Sequence, residues 1–145
     1  MSELKEKLVN YFGTRDEVLL AYLFGSCLQE KFGRNHDIDI ALFLEPESYR
    51  SLDENKPFGY KAEMVVEFMN LLKYDLIDLS ILNNCTPVLA YQVIRHGTLL
   101  FSRSARTRTQ FEMFSLKRHA DTKHLRSIKR FYSDKRIEKG LSAYD

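Results

Sequence analysis

The sequence has almost no cysteine: Cys27 and Cys85 are the whole complement of 145 residues. Two thiols are too few for a disulfide framework, and no Cys–His cluster with zinc spacing accompanies them. No apolar run comes near the ~20 residues that a membrane-spanning helix needs. The opening MSELKEKL is charged and has no signal-peptide core, so the expected compartment is a reducing cytoplasm. Internal repeats, low-complexity segments and a second domain are absent as well. What is there is 44% hydrophobic and 29% charged, ordinary for one globular domain with a real core.

The formal charge of +2 hides an asymmetry. Residues 1–102 carry 10 Lys/Arg against 15 Asp/Glu, a net of −5, whereas residues 103–139 carry 12 against 4, a net of +8. An acidic body with a basic tail points to an anionic partner, either nucleic acid or an acidic protein face.

The chemistry concentrates between Leu23 and Leu44, LFGSCLQEKFGRNHDIDIALFL. An apolar run ends in Gly25-Ser26, ten residues follow, and Asp37-Ile38-Asp39 leads into a second apolar run. Strand alternation places Asp37 and Asp39 on one face, with Ile38 and Ile40 on the other. Neighbouring carboxylates repel unless a cation sits between them. Hard oxygen ligands at this spacing suit Mg2+, which binds through one or two carboxylates plus substrate phosphates. Gly-Ser ahead of a helix suits a phosphate: glycine permits close approach, the hydroxyl donates, and the helix N-terminus favours an anion. The combination describes a site for a Mg-nucleoside triphosphate.

Gly25-Ser26, ten residues, then Asp37-x-Asp39 resembles the signature of the DNA polymerase beta-type nucleotidyltransferase superfamily. The short chain is most similar to its minimal nucleotidyltransferase (MNT) branch, the antitoxin half of HEPN/MNT toxin–antitoxin pairs. The likeness covers residues 5–102; beyond them only the basic, helical character matches. It implies an α/β (α+β) fold, a small mixed sheet with helices packed on it. Residues 1–102 would be the nucleotidyltransferase core and residues 103–145 a long basic C-terminal helical extension of the same domain.

The resemblance also implies the machinery. Asp37 and Asp39 would hold two Mg2+ ions, and a carboxylate from the next core strand would complete the catalytic metal's shell and help deprotonate the acceptor hydroxyl. Ser26 and the Gly25-Ser26 backbone would hold the terminal phosphates. Family members often carry the third carboxylate in an apolar-Asp-apolar triplet. Tyr74-Asp75-Leu76 fits best, making Asp75 the expected ligand, with Asp78 of Ile77-Asp78-Leu79 the alternative. The two are three residues apart and face opposite sides of a strand, so only one can join. Without metal, the close carboxylates should raise at least one pKa. Competent MNT antitoxins transfer AMP from ATP to a tyrosine of the HEPN ribonuclease toxin, sometimes several units. The implied substrate is therefore ATP, and the implied partner a HEPN toxin in a hetero-oligomer, docked on the basic C-terminal helix.

Two positions depart from the family pattern. Cys27 stands where many relatives have an arginine, removing a phosphate contact, and His36 stands where many have a serine. A buried cysteine and a loop histidine are the plain readings of both.

Along the chain, residues 3–12 read as a helix with Ser2 as N-cap and Gly13 as stop. Residues 17–24 read as a strand, 27–32 as a short helix, 33–35 as a turn and 37–44 as the carboxylate strand. The stretch 45–57, EPESYRSLDENKP, is polar and proline-flanked and reads as a mobile loop. An amphipathic helix follows over 58–72, and a strand over 74–82. Residues 86–96 read as a helix capped by Thr86 with Pro87 in its first turn, ended by Gly97. Arg95 in it is within range of a phosphate, though a surface arginine is the plain reading. A last strand runs over 98–102. Residues 105–139 read as helix, with Phe111, Phe114, Leu125, Ile128 and Phe131 on one side. So long a basic helix cannot bury itself on a small body, so part of it should meet a partner.

Other functions compete. One is a small-molecule nucleotidyltransferase of the aminoglycoside-modifying type, which usually needs a second substrate-binding domain. Another is a non-catalytic antitoxin that only covers the toxin. Arg118 and His124 have the spacing of a HEPN nuclease pair but no four-helix body around them. Direct nucleic-acid binding by the tail is permitted by charge and supported by no recognition module.

Overall fold

The computed structural model describes residues 2–25 and 36–142. Ser26, Cys27, the expected helix over 27–32 and the turn over 33–35 lie outside the described residues. The chain runs α1 (Ser2–Gly13), β1 (Val18–Phe24), β2 (Ile38–Leu44), α2 (Pro46–Glu54), α3 (Gly59–Leu72), β3 (Ile77–Ile81), a 3-10 turn (Leu82–Asn84), α4 (Pro87–His96), β4 (Thr98–Ser102) and α5 (Ala105–Ser142). The strands form one mixed sheet in the order β3-β2-β1-β4. β1 is antiparallel to both β2 and β4, and β2 is parallel to β3. The expected small mixed sheet covered by helices is what the chain builds.

Alternation along β2 divides the interior into two layers. Ile38, Ile40, Leu42 and Leu44 point to one face and pack with Leu8 and Phe12 of α1 and Tyr60, Met64 and Phe68 of α3. Phe12 and Phe68 meet edge to face at 5.8 Å. Ala41 points to the other face, where Leu20, Tyr22, Val93 of α4 and Phe111 of α5 close a second cluster. Phe111 also stacks on Phe43 at 4.5 Å. Each fully buried side chain of this size contributes roughly 1.5–3 kcal/mol, so the two layers fix the sheet rigidly between helices. Asp39 shares the second face and is half-buried.

Polar groups tie the layers together. Tyr60 donates to buried Glu17 at 3.0 Å, and the Arg15 guanidinium reaches the same oxygen at 2.8 Å. Burial works against ionised Glu17, but hydrogen bonds from the backbone, Arg15 and Tyr60 outweigh it and hold its carboxyl below the usual range. Arg103, just past β4, donates to the carbonyls of Phe12, Arg15 and Val18. It thereby fixes the point from which α5 departs.

The stretch 45–57, expected as a loop, is mostly helix. Glu45 caps α2 by accepting from the backbone N–H groups of Glu47 and Ser48, and Pro46 supplies the pre-set φ of a first helical turn. Tyr49 and Leu52 pack against the α1–α3 core, and Asp53 accepts from the N–H of Tyr60 at 2.8 Å. β3 is shorter than the expected 74–82 strand, because α3 ends on Lys73 in the left-handed region and the chain bends before re-entering the sheet. Asn83 then bonds both the N–H and the carbonyl of Leu44, fastening the turn to the end of β2.

α4 follows its sequence signals: the Thr86 side chain accepts from the Leu89 N–H, and Pro87 occupies the first turn. α5 is anchored only in its first half. Phe111 and Ser115 are buried, Glu112 accepts from the Tyr22 hydroxyl at 2.9 Å, and His119 stacks on Tyr91 at 3.9 Å. From Ser127 to Ile137 every side chain is exposed. Among the described residues, no helix is long and apolar enough to cross a membrane.

Candidate active site

Three elements converge where β1 ends and β2 and β3 begin. β1 pairs through Phe24 with Asp39, and the chain then turns at Gly25 with φ +81°, a left-handed conformation that glycine adopts without penalty. The turn brings the Gly25 backbone against the Asp39 carboxylate. A Cβ at Gly25 would meet Asp39 Oδ2 at 2.1 Å. On the other side of β2, the parallel register sets Asp39 opposite Asp78 of β3. Residues opposite each other in a ladder share a face, so both carboxylates leave the sheet on the same side. Asp37 stands one residue ahead of β2, exposed, on the side that alternation gives to Asp39.

The electrostatics report the same grouping. The Asp39 carboxyl is held above its ordinary range, first by burial, then by the charge of Asp78, then by that of Asp37. Among the described residues no lysine or arginine forms an ion pair with any of the three. A group of like charges of this kind gains from a cation or from protonation.

The structure brings Asp78, not Asp75, alongside Asp39. Asp75 is exposed in the bend between α3 and β3, ahead of the strand and without a partner in its ladder. The cause is register: the expected strand began at residue 74, and the real one at Ile77. Ser26 lies outside the described residues. Arg95 is exposed on the last turn of α4, which abuts the site end of β1: a Cβ on Gly97 would touch the carbonyl of Leu23 at 3.2 Å and Phe24 Cβ at 3.4 Å. Arg118 and His124 are six positions apart on α5, which turns them roughly a third of a revolution away from each other. They do not form a paired site; Arg118 instead donates to the Cys85 carbonyl at 3.4 Å.

Among the described residues, no three His, Cys, Asp or Glu side chains converge closely enough to hold a metal by themselves. The donor set still fits Mg2+, which takes one or two carboxylates and completes its octahedron with substrate phosphates and water. An apolar cavity of about 270 Å³, lined by Phe43, Leu82, Cys85, Phe111, Phe114 and Arg118, contains none of the three carboxylates. It belongs to the seam between α5 and the sheet.

Two features of the site had no signal that the sequence reading used. The closeness of Gly25 to Asp39 depends on the pairing of β1 with β2. The second is a hydrogen bond from the Tyr74 hydroxyl to the His36 carbonyl, just upstream of Asp37. It joins segments 38 residues apart.

Comparison with known proteins agrees with this fold. The family model described as polymerase beta, nucleotidyltransferase, matches residues 6–106. The protein adenylyltransferase MntA of Aphanizomenon flos-aquae (strain 2012/KM1/D3) is 23% identical over 130 residues, covering 89% of this chain and 87% of the relative. Among solved structures, a toxin–antitoxin with AMP-PNP superposes with a TM-score of 0.68 at 24% identity, over 92% of this chain and 98% of that one. A complex of tri-AMPylated Shewanella oneidensis HEPN toxin with MNT antitoxin gives a TM-score of 0.62 at 20% identity, over 94% of this chain and 98% of its counterpart.

Proposed function

The chain belongs to the polymerase beta nucleotidyltransferase family, and from that premise we propose that it is an antitoxin that moves AMP from ATP onto a tyrosine of a cognate HEPN ribonuclease toxin. The observation that carries the reading is Asp39 held between the Gly25 turn and Asp78, with its carboxyl pushed up first by burial and then by the charges of Asp78 and Asp37. The relative named as a protein adenylyltransferase and the complex containing a tri-AMPylated HEPN toxin support the acceptor class. The complex with AMP-PNP supports ATP.

In this reading Asp37, Asp39 and Asp78 are the groups that hold Mg2+. Bound there, Mg2+ would supply charge neutralisation for the triphosphate and the departing pyrophosphate. The absence of a side chain at Gly25 makes room for the Asp39 carboxylate, and Ser26 is the residue that would donate to the phosphates. The toxin tyrosine oxygen attacks the α-phosphorus, the bond to the bridging oxygen breaks, and pyrophosphate departs with the electron pair. The tyrosine proton passes to a carboxylate, for which Asp78 is suited: it is exposed on the edge strand and open to a macromolecular acceptor. Positioning and charge stabilisation are the main tasks of a protein in this chemistry.

The exposed outer half of α5 is the docking element. Leu125, Ile128, Phe131 and Tyr132 are all exposed there among lysines and arginines, an apolar and basic surface suited to a partner. The same surface favours a second reading, neutralisation by covering the toxin without chemistry.

One experiment separates the two. Purified protein is incubated with the toxin, Mg2+ and α-labelled ATP, and label on the toxin is compared for wild type and Asp39→Ala. Catalysis predicts labelled toxin tyrosine with wild type only, and toxin left active by the variant. Undiminished neutralisation by a folded Asp39→Ala protein would establish masking instead.

A further inference from the structure

Carboxylates at the head of β2 have to be held together against their own repulsion. Asp37 and Asp78 are both exposed, but Asp78 sits within the β3 ladder whereas Asp37 stands ahead of the β2 ladder. The β1 pairing ends at Phe24 opposite Asp39, and the β3 pairing starts at Ile38 opposite Ile77. Neither strand grips the peptide on the N-terminal side of Asp37.

Tyr74 does. α3 stops at Lys73 with φ 53°, and the Tyr74 N–H returns to the Met69 carbonyl at 3.3 Å. This sharp stop sends the Tyr74 ring against the α1–α3 core, half-buried, with its hydroxyl donating to the His36 carbonyl. Two residues on, the Ile38 N–H donates to the Leu76 carbonyl at 2.8 Å. The two bonds bracket Asp37, one on each side.

We propose that Tyr74 is a positioning residue of the carboxylate site: its hydroxyl fixes the backbone ahead of Asp37 and keeps that side chain beside Asp39 and Asp78 when a metal–nucleotide binds. The role rests on the nucleotide-transfer reading of the site. It also accounts for Tyr74-Asp75-Leu76, which contributes its tyrosine and its Leu76 carbonyl rather than its acid. Tyr74 touches no reacting atom; it acts through Asp37.

Tyr74→Phe removes the hydroxyl and its bond to the His36 carbonyl and keeps the ring. Two measurements read the result: amide hydrogen exchange at Asp37 and Ile38, and Mn2+ binding in the presence of AMP-PNP by calorimetry, with Asp39→Asn as reference. The expected outcome is a melting temperature lowered by only about 2–5 °C, exchange faster by roughly five- to ten-fold, as loss of one hydrogen bond predicts, and a several-fold rise in the Mn2+ needed for half-saturation. Unchanged exchange in a folded variant overturns the proposal. So does faster exchange with wild-type Mn2+ binding, provided Asp39→Asn abolishes that binding. If the wild type itself binds no Mn2+–nucleotide, the transfer reading falls together with this role.

Discussion

The Gly25 backbone lies against the Asp39 side chain, close enough that a single added carbon on Gly25 would stand 2.1 Å from Asp39 Oδ2. Glycine is required there twice over, since the backbone also sits at φ +81°. Gly25→Ala therefore adds about 1 kcal/mol of backbone strain and forces Asp39 or the turn to move. The expected result is a lower melting temperature and AMP transfer down by ~100-fold or more, since misplacement by an ångström costs that much. Thermal melts and labelled-ATP transfer check both.

Asp78 and Asp75 should behave differently despite their nearness in sequence. Asp78 faces Asp39 across the parallel ladder, whereas Asp75 lies exposed outside it. Asp78→Asn should lower transfer by at least about 100-fold, the scale of removing a group that acts on the transition state. Asp75→Asn should leave the rate within about two-fold. Side-by-side rate measurements decide it; equal losses from both would remove the register argument.

The raised carboxyl of Asp39 makes stability depend on pH. Burial, then Asp78, then Asp37 push its folded-state pKa above that of the unfolded chain. The folded protein therefore binds that proton more tightly. This contribution is complete below the unfolded value, about 4, and is lost as pH rises through the folded value. Ionised Asp39 thus destabilises the metal-free protein near neutrality. Asp39→Asn should melt above wild type at about pH 7, with the gap closing toward about pH 4. Mg2+ should raise the wild type more than the variant. Melting curves across that range, with and without Mg2+, are the check.

On α5, Ile128 and Phe131 touch nothing that holds the sheet, both being exposed. Ile128→Glu with Phe131→Glu should change folding stability by no more than about 1 kcal/mol while abolishing co-purification with the toxin. Phe111→Ala, by contrast, removes a buried ring stacked on Phe43 and should cost about 3–5 kcal/mol of stability. Chemical denaturation and pull-down, run on both proteins, distinguish a docking helix from a core one.

Much of this architecture is legible in the residues. Thr86, Pro87 and Gly97 mark α4 through caps that act within a few residues, and Asp37-x-Asp39 declares its shared face through strand alternation alone. α2 is harder to read because its cap is a glutamate, a residue not among the favoured cap types. Pro46 carries the same first-turn signal as Pro87, yet the polar run around it suggests a loop. The choice between Asp75 and Asp78 depends on where β3 enters the sheet. That is set by the left-handed stop at Lys73 and by pairing with β2, both distant from any local pattern. Gly25 is visible as a turn residue; its contact with Asp39 exists only once β1 and β2 are paired.

The departure of α5 from the body carries an evolutionary consequence. Past residue 126 its side chains are exposed to the last described one, Ile137, so a substitution there alters no packing in the sheet. If the proposed function holds, this arm can be rewritten to follow a drifting toxin without disturbing the acidic cluster. On that reading recognition and chemistry are separately evolvable, and new pairings would not require rebuilding the sheet.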